Sequence, residues 1–226
     1  MSYIPLHRSF KVKVKHMSEY LLLRTIYFLV NLLPYFLIEL ITSMISKLVW
    51  LLIPFRITVA YENLSIVFPS KTHREKLSIL RSAYHRFINA AGLILVIHRR
   101  NISKLITEAE IGNLELLDAA LSEGRGVILT TYHGCWFEPY FAWFSKEKRP
   151  TSLIYKRQKN PHSDEFFVRL RNRYGTSLRH IDKYEKLKDY ENELKENRLL
   201  IISLDQNYID NGVPVTFFDR EFICAR

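Results

Sequence analysis

The chain has 226 residues, 48% of them hydrophobic and 13% aromatic, which excludes a disordered polypeptide and leaves room for one substantial core with an appended element. A formal charge of +10 favours an anionic partner: phospholipid surface, phosphorylated substrate, acidic protein or nucleic acid. Two cysteines, Cys135 and Cys224, form neither a metal-ligand spacing nor a disulfide framework.

The N-terminal 20 residues are basic, with Arg8, Lys11, Lys13, Lys15 and His16 against Glu19. From Leu21 to Phe55 the chain is almost wholly apolar, too long for a signal peptide and without a clean small-residue cleavage site. A bilayer span takes ~20 largely uncharged residues. Arg24, Glu39 and Lys47 interrupt this run, and Pro34 would kink a helix within it. One transmembrane helix and an interfacial helical hairpin both fit. Basic residues on both flanks suit a monotopic anchor. A buried soluble helix pair is the competing reading. Residues 1–58 are therefore expected to be a basic N-terminus with membrane-anchor helices, and 59–226 a separate α/β domain.

Residues 59–70 read as a short connector ending near Pro69. Thr72 to Arg100 is helical by pattern, with Leu77, Leu80, Tyr84, Phe87 and Ile88 at three-to-four spacing. Arg81, His85, Arg86, His98, Arg99 and Arg100 make it basic, as a solvated face or as a surface for lipid phosphates or an acidic carrier protein. From about residue 107 helices and strands alternate. Leu114–Glu123 is a helix stopped by Gly124, and Gly126–Tyr132 a buried strand. Trp136–Ser145 is a helix and Ser152–Tyr155 a strand. Pro161–Tyr174 is a helix with proline in its first turn and Gly175 at its end. Tyr184–Glu196 is a charged helix and Leu199–Leu204 a strand. This alternation implies a mostly parallel sheet flanked by helices. Ligands collect at the carboxyl ends of such strands, where His133 and Asp205 both lie.

His133 and Glu138 are the first candidates for chemistry. Residues five apart on one helix do not share a face, so the pair works only if His133 precedes the helix that carries Glu138. The carboxylate can then orient one imidazole nitrogen while the other takes a proton from a hydroxyl. The helix N-terminus beside them suits a phosphate or a developing oxyanion. A capping histidine with a surface glutamate is the plainer alternative, and Cys135 with His133 as base is a different nucleophilic mechanism.

Four features resemble the bacterial lipid A biosynthesis (late) acyltransferases, of the lauroyl/myristoyl type, within the lysophospholipid acyltransferase superfamily. They are Glu62-Asn63-Leu64 with Phe68-Pro69; His133-x4-Glu138; Tyr155-Lys-Arg-Gln-Lys-Asn160-Pro161…Asp164 followed by Arg171-Asn-Arg173-Tyr-Gly175; and Asp205-Gln206-Asn207…Gly212-Val213…Phe217-Phe218. The resemblance implies a glycerol-3-phosphate acyltransferase-like α/β fold at the cytoplasmic face of the inner membrane. It implies transfer of an acyl group from an acyl carrier protein or coenzyme A thioester to a hydroxyl of a glycolipid acceptor, a lipid A precursor. By it His133 is the general base and Glu138 its orienter. Arg171 or Arg173 would hold a substrate phosphate or the oxyanion, and Asp205, with Gln206 beside it, would support the site. Neither a metal nor a redox cofactor is required, and no nucleic-acid-binding motif accompanies the charge. A glycerophospholipid acyltransferase and a catalytically silent membrane-binding homologue are the alternatives. The chain departs from the family in Gly134-Cys135 before Trp136, where Gly-Asn-Trp is usual, and in Asp219 where Phe-Phe-Gly is expected. It also stops at Arg226, where family members continue with another αβ section, so the α/β domain is expected to be incomplete at its C-terminus.

Overall fold

The computed structural model describes residues 10–52, 56–99, 104, 108–135, 137–146, 149–173, 178–206 and 212–224. Arg8, Arg100, Trp136, Tyr174, Gly175 and Asn207, all used in the sequence reading, lie outside the described residues. The chain divides into two compact units. One comprises residues 1–32, 98–129 and 140–202; the other comprises 33–97, 130–139 and 203–226.

The first unit contains helix α1 (Phe10–Leu32) and most of an α/β layer. α1 ends two residues before Pro34, whose carbonyl accepts the Leu37 and Ile38 N–H groups and so starts α2 (Tyr35–Leu52) of the second unit. The sheet orders its strands β1-β4-β2-β3, with β1 Val127–Thr131, β2 Thr151–Tyr155, β3 Leu178–Asp182 and β4 Leu199–Ser203. β2 pairs in parallel with both β3 and β4. β4 and β2 are central and buried over their first three residues, because a strand in a helix-covered parallel sheet has no solvent face; β4 is apolar until Ser203, while β2 buries Thr151 and Ser152 before Leu153. Leu199, Leu200 and Ile201 are at most 1% exposed, and burying each side chain contributes ~1.5–3 kcal/mol.

β1 is not the fully buried strand expected from its apolar run. It lies at the sheet edge, and Ile128 is exposed. Its N-terminus is pinned by the Val127 N–H to the Arg198 carbonyl. Gly126 precedes it at φ +70°, packed against the Leu194 backbone. β3 escaped the sequence reading because Arg179 and His180 interrupt its apolar pattern; only Leu178 and Ile181 turn inward.

Helices α5 (Leu114–Ser122), α6 (Phe137–Lys146), α7 (Pro161–Arg171) and α8 (Leu187–Lys195) alternate with the strands as expected. Asn160 caps α7 by accepting the His162 and Ser163 N–H groups, and Pro161 occupies its first turn. The same Asn160 amide donates to the His16 carbonyl and the Glu19 carboxylate, tying α7 to α1.

In the second unit, α3 (Ile57–Val67) replaces the expected connector. No glycine or proline interrupts residues 57–67, and Ile57, Ala60, Tyr61, Leu64 and Ser65 form a half-buried stripe at helical spacing. α4 (His73–Ile94) begins with a capping box: Thr72 accepts the Glu75 N–H, and Glu75 accepts the Thr72 N–H. It ends at Ile94, short of Arg100. Phe87, placed on the apolar stripe by the sequence, is 69% exposed. His85, counted among the basic face, joins a polar chain instead. Its Nδ1 meets Ser46 Oγ at 3.0 Å, its Nε2 meets Asn89 Nδ2 at 3.1 Å, and Asn89 accepts the Thr42 hydroxyl. This chain binds α2 to α4, and Gly92 lets the helices approach over Thr42.

α2 is 18 residues long with a mean hydropathy of 1.6, and among the described residues it is the helix long and apolar enough to cross a membrane. A two-stranded antiparallel hairpin, β5 (Val213–Phe217) and β6 (Arg220–Cys224), completes this unit. Its turn residues Phe218 and Asp219 both have positive φ, 50° and 57°. A type I′ two-residue hairpin turn has that conformation at both positions, and here it is held without glycine.

Candidate functional site

β1 ends at Thr131, and two residues later the chain presents His133. The Gly134 N–H turns back to the Tyr132 carbonyl at 2.9 Å, and the Phe137 N–H to the Gly134 carbonyl at 3.3 Å. A side chain at Gly134 would strike the Tyr132 ring, with its Cβ 2.8 Å from Tyr132 Cε2. This tight turn sets His133 before α6 and Glu138 in the first turn of it, the arrangement the five-residue spacing demanded.

The structure brings Asp205 to His133. The Leu204 N–H donates to the Thr131 carbonyl at 3.2 Å, which aligns the chain beyond β4 with the chain beyond β1. One Asp205 oxygen then meets His133 Nδ1 at 2.7 Å, and the other accepts the His133 backbone N–H at 2.8 Å. This double contact fixes both the backbone and the ring of His133. It assigns the proton to Nδ1 and leaves Nε2 as the basic nitrogen. Burial alone would raise the Asp205 carboxyl. The His133 backbone and ring hydrogen bonds, with the imidazole's charge, outweigh burial and hold it below the usual carboxylate range. The His133 side chain is 46% exposed, so the imidazole is open to solvent.

The resemblance implies Glu138 as the orienter of His133. In the structure the contact to Nδ1 is made by Asp205, while Glu138 is 2% exposed and engaged with its surroundings. A negative side chain in the first turn of α6 is favourable to the helix dipole. Gln206 follows Asp205 and is exposed. Cys135 is half-buried in the turn. Nothing in the sequence spacing separates Asp205 from Glu138 as the partner of His133, since the residues are 72 positions apart and meet only through sheet order.

Arg171 and Arg173 belong to the sheet-containing unit. Arg171 closes the last turn of α7, where a cation complements the helix dipole, and its charge acts on His180. Burial first, then Arg171, push the His180 imidazole down to about 4, against a smaller opposing pull from Asp164. Arg173 donates to the Tyr27 hydroxyl of α1 at 2.5 Å and lies over its ring.

The Tyr155…Asp164 stretch serves folding. Asp164 accepts the Tyr155 hydroxyl at 3.2 Å and the Gln158 N–H at 2.9 Å, which closes the loop between β2 and α7. Burial, then the Asp164 charge, raise the Tyr155 hydroxyl, keeping it a donor. Among the described residues, no three His, Cys, Asp or Glu side chains are grouped to hold a metal ion.

The sequence profile of the bacterial lipid A biosynthesis acyltransferases matches residues 7–226, nearly the whole chain. A comparison with individually curated proteins finds no significant match.

Proposed function

Because the chain belongs to the bacterial lipid A biosynthesis acyltransferase family, we propose that it moves a fatty acyl group from an acyl thioester to a hydroxyl of a lipid A precursor, with His133 as general base. The observation that carries the reading is the double hydrogen bond of Asp205 to His133, at 2.7 and 2.8 Å. With Nδ1 protonated and held, Nε2 takes the proton of the acceptor hydroxyl as that oxygen attacks the thioester carbonyl. The C–O bond forms and a tetrahedral oxyanion develops. The carbonyl reforms, the C–S bond breaks, and the imidazolium returns its proton to the departing thiolate. Asp205 and the buried Glu138 stabilise the imidazolium charge between these two transfers.

Arg171 and Arg173 are the proposed contacts for substrate phosphate or oxyanion, because a guanidinium fork matches both. Gln206, exposed next to Asp205, is proposed as a polar substrate contact. Acyl carrier protein is the proposed donor carrier, and the +10 charge of the chain suits an acidic protein. The cytoplasmic face of the inner membrane is the proposed location, with α2 as its apolar anchor.

The test uses purified full-length protein in detergent, offered acyl carrier protein and coenzyme A thioesters with a lipid A precursor or with lysophosphatidic acid. Products are read by mass spectrometry. His133→Ala is expected to lose transfer while keeping its detergent-extracted, folded state. Transfer by that variant at a rate near the parent's would sink the assignment.

A further inference from the structure

A cleft of about 170 Å³ lies between α1 and α7, within the sheet-containing unit. From α1 it is lined by Tyr20, Arg24 and Tyr27, whose i, i+4, i+7 spacing puts them on one face of the helix. From the chain of α7 it takes Glu165, Arg169 and Arg173, again at i, i+4, i+8. His162 and Phe166 complete its aromatic walls; Tyr20 faces the His162 ring at 5.6 Å and Tyr27 meets Phe166 edge-on at 5.2 Å. Three guanidinium groups therefore converge on one concave site against a single carboxylate. That carboxylate, Glu165, is bound to Arg169 at 2.5 Å. Arg24 has no hydrogen-bond or ion-pair partner among the described residues. Arg173 is aimed by Tyr27, which accepts one of its N–H groups at 2.5 Å and lies 3.2 Å from His98 Nε2. Burial and the neighbouring Arg173 and Arg99 charges lower His98, so its Nε2 accepts the Tyr27 proton. One N–H of Arg173 is thus committed to positioning, and the rest of the fork is available to a ligand.

The place of the cleft along α1 identifies the kind of anion. Before it, α1 exposes Lys11, Lys13 and Lys15 together with Phe10, Val14 and Met17. Along and beyond it, apart from Arg24 and Thr25, the outward residues are mainly apolar: Leu21, Leu22 and Phe28 are 56%, 63% and 61% exposed. The cleft sits where the exposed lysines of α1 end and its exposed large side chains become mainly apolar. Phosphate esters occupy that boundary in a lipid layer, and arginine with tyrosine is the side-chain pairing that suits it.

We propose that this cleft is a phosphate-ester site, in which Arg24, Arg169 and Arg173 hold the phosphate of an anionic lipid whose acyl chains run along the apolar part of α1. The inference deepens the role proposed for Arg173 and rests on the acyl-transfer reading for that residue alone. Glu165 sets the strength of the site: it neutralises Arg169 and lies close to the incoming charge, so the site holds a phosphate less tightly with it than without it.

The experiment is native mass spectrometry of the full-length protein released from detergent. The probes are phosphatidic acid, phosphatidylcholine and inorganic phosphate, each offered to the parent, Arg24→Gln, Arg169→Gln and Glu165→Gln. Phosphatidic acid is expected to be retained over phosphatidylcholine. Each arginine substitution is expected to weaken it about tenfold, the effect of one charge-assisted contact. Glu165→Gln is expected to tighten it, and this variant carries the test if an arginine variant does not fold, since it removes only an exposed ion pair. Retention of phosphatidic acid against an equal concentration of inorganic phosphate identifies a lipid source. Full displacement by inorganic phosphate, with the same arginine dependence, identifies a soluble phosphate ester at the same site. Equal binding of phosphatidylcholine, or phosphatidic acid binding unchanged by the substitutions, overturns the proposal. No turnover is read, so such a failure leaves the role of His133 standing. Conversely, phosphatidic acid bound normally by an active His133→Ala protein would remove the acyl-transfer mechanism and keep the cleft.

Discussion

Asp205→Asn tests the His133 assignment most directly. Asp205 accepts two donors of the same residue, the backbone N–H at 2.8 Å and Nδ1–H at 2.7 Å. Asparagine offers one acceptor oxygen and an NH₂ group, so it cannot accept both. If its oxygen keeps the backbone N–H, its amide N–H faces Nδ1. That stabilises the tautomer with the proton on Nε2, the nitrogen that must receive the hydroxyl proton. The substitution therefore removes general-base function without removing the imidazole. General-base catalysis contributes about 10²- to 10⁴-fold, and the expected fall in kcat lies in that range, ~3–5 kcal/mol. The assay is single-turnover acyl transfer with saturating thioester and acceptor, read by mass spectrometry. KM is expected to change little, since the reacting groups still bind. A kcat within tenfold of the parent would refute the reasoning. Wild-type-like turnover by Asp205→Asn together with an inactive Glu138→Gln would return the orienting role to Glu138. The same carboxylate has a signature in stability. Its folded pKa is depressed, so its contribution is present above the ordinary carboxylate value of about 4 and is lost as pH falls through the lower folded value. Acid titration of unfolding is expected to be flatter in Asp205→Asn.

Three further outcomes are expected. His180 is pushed from 6.5 to about 4 and one ring nitrogen is buried without a partner. The unfolded chain takes a proton from pH 6.5 downward that the fold refuses until about 4, so stability falls across that window, by ~1–3 kcal/mol after allowance for partial exposure. His180→Phe, which keeps the edge-on contact with Tyr155, is expected to abolish this slope in chemical denaturation; an unchanged slope would assign it elsewhere. Gly126→Ala would place a Cβ 2.6 Å from the Leu194 carbonyl oxygen at a φ of +70°. The expected cost is at least ~2 kcal/mol, read as a lower denaturation midpoint, and a neutral result would contradict the close approach before β1. Cys135→Ser is expected to retain parental turnover, because the hydroxyl is deprotonated by His133 directly; loss of activity with an acyl thioester trapped on the parent protein would favour a cysteine nucleophile.

Much of the architecture was legible because its signals are local. Gly124 and Pro161 bound helices by backbone chemistry that needs no tertiary partner, and Thr72 with Glu75 marks the start of α4 in the same way. The continuous apolar run of β4 announces a strand covered on both faces. The position of His133 before a helix and Glu138 on it followed from 3.6 residues per turn. Where local signals are mixed, the sequence pattern points away from the observed element. The short apolar stripe of α3 reads as a connector in sequence, and packing beside α4 half-buries it as a helix. β3 was missed because Arg179 and His180 break its pattern. The hairpin β5–β6 was missed because Pro214 and a turn without glycine obscure it.

The sequence by itself determined the helix and strand alternation, the family, and the delivery of His133 to the end of a strand. Only the tertiary structure decided which carboxylate holds the imidazole. Glu138 is near in sequence, but Asp205 is brought to the ring by the pairing of the segments that follow β1 and β4. Helical periodicity constrains residues within about two turns, whereas sheet order is set by packing across the whole core, and it joined two residues 72 positions apart.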